Sequence, residues 1–273
     1  MPQVTIVGCD LHDRTLLLKT AAGKSDPHER RFGNDMEGRA TMIEYLVQFA
    51  QKTSSSRIVF VYEASGQGYG LYDLLTDQGI ECFVLSPTHI PRSAKSRKNK
   101  TDPKDALQLL ELARGHVLAG NPLPTVWKPP QRVRDDRELI RARLETAESC
   151  TRVKLQVSSM LKRYGVPLPA WFLKNRSWTK RFVKWLREYA EQMDEMVQPV
   201  LLALIARHET LRLQVVELEK HIRRLSRTDR YKVACQHLRK LRGVGLVTAM
   251  TFLTEMGDLL RFENRRQVAA YLG

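Results

Sequence analysis

Residues 57–62 read RIVFVY, and Glu63 follows directly. After Arg57 the run is apolar without alternation, the pattern of a β-strand covered on both faces. An acid ending such a strand needs a partner, because a bare charge at a buried edge is costly. Working outward, Val4 to Gly8 is a short β-branched run that ends at Cys9-Asp10. Thr15 to Thr20 is a second apolar run, and His28 to Phe32 suits a third, exposed strand. Short turns, one of them Ala21-Ala22-Gly23-Lys24, would join these three into an antiparallel meander. Met36 to Lys52 carries Met42, Ile43, Leu46, Val47 and Ala50 as one helical stripe. Leu71 to Asp77 reads as a helix and Glu81 to Leu85 as another buried strand. The order is three strands, helix, strand, helix, strand, helix. It predicts an α/β fold: a mixed sheet with helices on its faces.

The character of the chain changes at NPLPTVWKPP, around Pro122 to Pro130, which is too proline-rich for a helix and reads as a linker. Beyond it, Arg132 to Tyr164 is long, charged and helical in period. After Pro167 and Pro169 a second helical region runs from about Thr179 to Arg227, with Pro199 as a kink or junction. Leu204, Leu211, Val215, Leu218, Ile222 and Leu225 form a seam spaced like a coiled coil or helical hairpin. It suits packing against the preceding helix and a dimerisation arm equally. The expected domains are therefore 1–121, a linker at 122–131, a helical region at 132–230 and a further segment at 231–273.

Apolar residues make up 42% of the 273, so the chain can bury a core. The formal net charge is +15 and the pI about 9.9, a surplus that points to a polyanionic partner. Cys9, Cys82, Cys150 and Cys235 are widely spaced without a CxxC pair, which argues against a zinc site or a disulfide framework. The N-terminus lacks the features of a signal peptide, and no apolar run is long enough to span a bilayer. A cytoplasmic protein away from membranes is expected.

Asp10 and Glu63 end strands, and Asp102 and Asp105 open a helix. Carboxylates at strand ends project from one edge of a sheet, so residues far apart in sequence can converge there. The i, i+3 spacing of Asp102 and Asp105 puts both on one helix face. Such a set of hard oxygen donors suits Mg²⁺. Two ions roughly 3.5–4 Å apart can activate a nucleophile and stabilise the leaving oxygen of a phosphodiester. Each acid also has a plainer reading. Asp102 can cap a helix with Pro103 at its first position, Asp105 can answer the macrodipole, and Asp10 can cap a turn.

VGCDLH, VYEAS and KNKTDPKDA together resemble the DEDD transposases of bacterial insertion sequences, of the IS110 type. The resemblance implies a ribonuclease-H-like, RuvC-like nuclease domain over residues 1–121. It assigns Asp10, Glu63, Asp102 and Asp105 as catalytic and metal-binding residues, with Mg²⁺ (or Mn²⁺) as cofactor. It implies cleavage and transfer of DNA strands at element ends and target. It also implies a structured guide RNA and a homodimer or homotetramer. LRKLRGVGLVTAMTFLTEMGDLLRFENRRQVAAYLG resembles the start of that family's second domain. There Gly243-Val244-Gly245 reads as a helix–hairpin–helix turn whose amides can hold a phosphate, or simply as a turn between packed helices. The family's serine segment would follow Gly273, so a truncated chain or a nucleic-acid-binding remnant is also an expectation. A Holliday-junction resolvase-like nuclease on the same fold is the other alternative.

HIPRSAKSRKNK, His89 to Lys100, holds five Lys/Arg and no acid. Arg92, Lys95, Arg97, Lys98 and Lys100, with Lys104, are expected to carry nucleic acid over the carboxylates, as are Gly243 and Gly245 at the second site. A solvated loop is the plainer reading of that run. Lys162 to Arg187 holds eight Lys/Arg among Trp171, Phe172, Trp178, Phe182 and Trp185. These aromatics suit base stacking or a helical core.

Overall fold

The computed structural model describes residues 3–90, 102–175 and 177–273. The basic residues Arg92, Lys95, Arg97, Lys98 and Lys100 lie outside the described residues. The chain divides into two units, Met1–Lys128 and Pro129–Gly273.

The first unit is an α/β structure with the expected order of elements. Strands β1 (Gln3–Leu11), β2 (Thr15–Ala22) and β3 (His28–Gly33) precede α1 (Met36–Lys52). Then come β4 (Ser55–Glu63), α2 (Gly70–Asp77), β5 (Glu81–Leu85) and α3 (Asp102–Ala119). The sheet order is β3-β2-β1-β4-β5. The β1–β2 and β2–β3 pairs are antiparallel, whereas β1–β4 and β4–β5 are parallel. β1 is therefore central, and both of its faces are covered. Val7 and Cys9 pack with Met42, Leu46, Phe60 and Leu75 on one side. Val4 and Ile6 pack with Val59, Val61, Leu109, Leu110 and Ala113 on the other. This two-sided burial is why β4 reads as an unbroken apolar run from Ile58 to Tyr62 and β1 as a β-branched run without polar alternation.

Part of the proline-rich stretch belongs to this unit. Ser86 donates its amide to the Pro124 carbonyl at 2.7 Å, and Val126 donates to Val84 at 2.9 Å. Proline cannot donate to a ladder but can accept at a sheet edge, so Pro124 is tolerated beside β5. The division after Lys128 falls within the stretch read as a linker.

The second unit is helical: α4 (Gln131–Arg163), α5 (Ala170–Asn175), α6 (Lys180–Ala190), α7 (Gln198–Leu225), α8 (Lys232–Leu238), α9 (Leu246–Met256) and α10 (Arg265–Leu272). Pro199 is a junction, seated in the first turn of α7 where its missing N–H costs nothing. α4 and α7 lie against each other with a core at each end. One core joins Val157, Met160 and Leu161 to Leu201 and Ile205. The other joins Ile140 to Ile222, Tyr231, Cys235, Ala249 and Met250. The two helices are thus antiparallel, and Arg143 Nε reaches Glu219 Oε1 at 3.1 Å between the ends. Among the described residues, none from 141 to 152 or from 209 to 221 is buried.

The aromatics of Lys162 to Arg187 form a core. Phe172 and Phe182 are buried and stacked with centroids 3.6 Å apart, and Trp171, Trp178 and Trp185 pack around them. The four cysteines are free, and all but Cys150 are buried. No helix among the described residues is long and apolar enough to cross a membrane.

Candidate active site

Strand alternation decides where the acids point. Side chains two apart share a face, so Asp10 continues the row of Val4, Ile6 and Gly8, and Glu63 continues the row of Val59 and Val61. Both rows face α3. In the parallel register Cys9 stands beside Tyr62, so Asp10 and Glu63 take the next step on neighbouring strands. On the helix, Ala106, Leu109, Leu110 and Ala113 make the buried stripe. Asp102 and Asp105 extend that stripe by one turn beyond the apolar sheet face.

Gly8 sets the height of the helix over the strand. A Cβ there would lie 2.3 Å from the Ala106 carbonyl oxygen and 2.3 Å from the Leu110 amide nitrogen, so α3 rests on bare β1 backbone. Further along, Arg114 donates to the Gly23 carbonyl at 3.0 Å and also to the Ser25 carbonyl. One end of α3 is thereby tied to the turn after β2, and the other end brings its acids to the β1 edge.

His12, just past β1, joins the acids. Its Nε2 lies 3.0 Å from Asp10 Oδ2 and 3.5 Å from Asp102 Oδ1. Ligand atoms of Asp10, His12 and Asp102 all fall within 4.8 Å of one another, a set that can hold a metal ion. Asp105 is near enough to act electrostatically on Asp10. Glu63 is half-buried on the adjoining strand, and Lys104 is exposed on α3 between the two aspartates.

The Asp10 side chain is only 16% exposed. Burial raises its pKa above the usual carboxylate range, the His12 ring pulls it back, and Asp102 and Asp105 push it up again. A cation between these groups would reverse the penalty. The carboxylates fit Mg²⁺ through oxygen, and the imidazole nitrogen also suits Mn²⁺.

A polar frame holds the His12 loop. Asn34 Nδ2 donates to the His12 carbonyl and to Gln67 Oε1, each at 2.7 Å. Arg39 Nε donates to Asn34 Oδ1 at 2.8 Å, and Gln67 Nε2 donates to Asp13 Oδ1 at 3.2 Å. Sequence reading missed His12, although it stands two residues after Asp10 in VGCDLH. Asn34 and Gln67 left no local signal.

In the helical unit, α8 and α9 flank the GVG turn. Gly243 has φ +85°, in the left-handed region that favours glycine, and both Gly243 and Gly245 have open space at the Cβ position. Gly245 caps α9 without a side-chain hydrogen bond.

The transposase model of the DEDD, IS110 type matches residues 7–166, and that of the IS116/IS110/IS902 transposase family matches residues 235–273. The chain belongs to this family of insertion-sequence transposases. It is 37% identical over 216 residues to a putative transposase of Sinorhizobium fredii, covering 79% of this chain and 49% of that protein. It is 27% identical over 270 residues to the transposase for insertion sequence element IS1533 of Leptospira borgpetersenii, covering 98% of this chain and 74% of the relative. A transposase for IS1111A of Coxiella burnetii is 23% identical over 235 residues, covering 83% of this chain and 59% of the relative. The chain spans about half the length of the Sinorhizobium relative.

Proposed function

We propose that the sheet unit is an RNase H-like, RuvC-like nuclease domain and that Asp10, Glu63, Asp102 and Asp105 are its catalytic carboxylates. The observation that carries this reading is the meeting of Asp10 and Asp102, from a central strand and a distant helix, around one imidazole. Asp10 and Asp102 repel each other where they meet, and a divalent cation held between them would turn that repulsion into attraction. Asp10, Glu63, Asp102 and Asp105 would hold Mg²⁺ or Mn²⁺, and a bound divalent ion would activate the attacking oxygen and stabilise the leaving one. Asp10 and Asp102 orient that site from the strand and the helix. His12 keeps Asp10 aligned through its 3.0 Å contact or contributes a nitrogen ligand.

The reaction would be cleavage and transfer of DNA strands at element ends and target. The positive charge of the chain supports a nucleic-acid partner, and a structured guide RNA is part of the proposal. The helical region would supply contacts for a homodimer or homotetramer. Residues 231–273 would begin a further domain, and its GVG turn is read as helix–hairpin–helix-like.

The test is metal-dependent nicking of element-end DNA by the full chain. Wild type should cut with Mg²⁺ or Mn²⁺, and Asp10→Asn and Asp102→Asn should bind the same DNA without cutting it. Undiminished cutting by either variant would overturn the assignment.

A further inference from the structure

A second charged site lies in the helical unit, and it has the opposite sign. A cavity of about 460 Å³ opens where α7, α8 and α9 meet, lined by Arg223, Arg227, Lys232 and Arg239. Ser226 and Gln236 add neutral hydrogen-bond donors, and no carboxylate lines it. Elsewhere in the same unit some arginines are paired with acids. Arg141 is bidentate to Glu255 at 2.8 and 2.9 Å, Arg143 meets Glu219, Arg187 meets Glu209 and Arg230 meets Asp136. Among the described residues, none of the four cavity cations is paired in this way.

Helix dipoles explain only part of the cluster. Arg223 and Arg227 stand at the C-terminal end of α7, where cations are favoured. Lys232 opens α8, where a cation is disfavoured, yet it faces the same cavity. Four like charges around one hollow repel one another unless an anion sits among them. α9 also begins here: Leu246, its first residue, lines the cavity, and no side chain caps that helix. The uncapped first turn of α9 adds partial positive charge beside the cavity.

We propose that this cavity binds the phosphodiester backbone of a nucleic acid, with Arg223, Arg227, Lys232 and Arg239 as the phosphate-holding side chains. The proposal rests on the nucleic-acid reading above but not on the carboxylate chemistry. Guanidinium groups can hold phosphate oxygens in pairs, and the lysine acts as a point charge. The site recognises charge and geometry rather than base identity, so it positions a strand without selecting a sequence.

The test is direct binding of the full chain to a DNA duplex and to an RNA duplex of the same sequence, across a salt series. For the duplex that occupies the cavity, Arg223→Ala with Arg239→Ala should weaken binding roughly a hundredfold near 0.1 M salt and flatten the log–log salt slope by about 2. The polymer that shows this loss names the source of the phosphate. Arg223→Lys with Arg239→Lys should recover most of the affinity, which separates lost charge from lost fold. Lys24→Ala with Lys52→Ala removes the same net charge elsewhere and should have a small effect. Equal weakening by both alanine pairs, or none by the cavity pair, overturns the proposal while leaving Asp10-dependent cutting intact. Wild type that binds neither duplex overturns the nucleic-acid reading itself.

Discussion

The sheet unit and the helical unit gather charge of opposite sign and support it by different means. In the sheet unit, Asp10 is nearly covered on a strand packed on both faces, and Asp102 is 45% exposed at the start of a helix packed on one of those faces. In the helical unit, Arg223, Arg227, Lys232 and Arg239 are exposed and stand at helix ends. A partly buried carboxylate cluster favours a small cation held in a fixed place. An exposed cationic cluster tolerates a flexible polyanion and some misplacement. The first arrangement suits chemistry, and the second suits holding.

The largest effect should follow from removing charge at the sheet edge. Asp10→Asn or Asp102→Asn should lower the rate of metal-dependent strand cleavage by roughly a thousandfold or more, corresponding to ~4 kcal/mol of lost transition-state stabilisation. Single-turnover cleavage measured at saturating protein checks this. A reduction below tenfold would mean that the carboxylates are a structural feature and that the contrast between the units is only one of sign.

Gly8→Ala should be next. The added methyl meets backbone rather than a movable side chain, so α3 must lift from β1. A loss of about 2 kcal/mol or more is expected in urea unfolding of the full chain. Because the same shift withdraws Asp102 and Asp105 from Asp10, bound Mn²⁺ should also stabilise the variant less than wild type. Full retention of metal-dependent stabilisation would show that the acids do not depend on this contact.

The expected order of elements was legible because β1 and β4 are apolar on both faces and end in acids. Parity then carries Asp10 and Glu63 toward α3. What was not legible depends on contacts between distant segments. Nothing near Gly8 announces that Ala106 and Leu110 will rest on it. His12 gains Asp102 as a partner only when α3 arrives. In α7 the leucine spacing was plain, but burial is confined to the ends. His208, one heptad before Val215, takes an inward position that a polar residue would not suggest. The basic cavity draws on α7, α8 and the first residue of α9 at once, so its cations come together only in the fold.

Titration should separate the units further, through slopes of opposite sign. Asp10 has a raised pKa, so its contribution to stability is full below the unfolded value near 3.8 and is lost as pH rises through the folded value. Without metal, Asp10→Asn should therefore be more stable than wild type at neutral pH, and added Mn²⁺ should reverse the order. His208 is the converse. Burial lowers its pKa, and Lys154 and Arg212 lower it further. Its contribution is full above the unfolded value near 6.5 and is lost as pH falls toward the folded one. His208→Gln should flatten the acid side of the stability curve. Unfolding midpoints between pH 4 and 8, with and without metal, test both signs.

The smallest effect should come from the middle of the helical pair. Leu213 is 71% exposed on α7, whereas Ile222 on the same helix is fully buried against Tyr231, Cys235 and Met250. Ile222→Ala should cost about 3 kcal/mol through lost contacts and a residual cavity. Leu213→Ser should change the stability of the chain by less than about 0.5 kcal/mol. Sedimentation of the two variants gives this pair its second use. If α7 supplies a subunit contact through its uncovered middle, Leu213→Ser should weaken self-association while leaving the unfolding midpoint at low concentration in place. If neither quantity moves, the uncovered stretch takes no part in assembly. The cores of the helical unit would then lie only at the ends of the α4–α7 pair, whereas in the sheet unit β1 is covered by a core on each face.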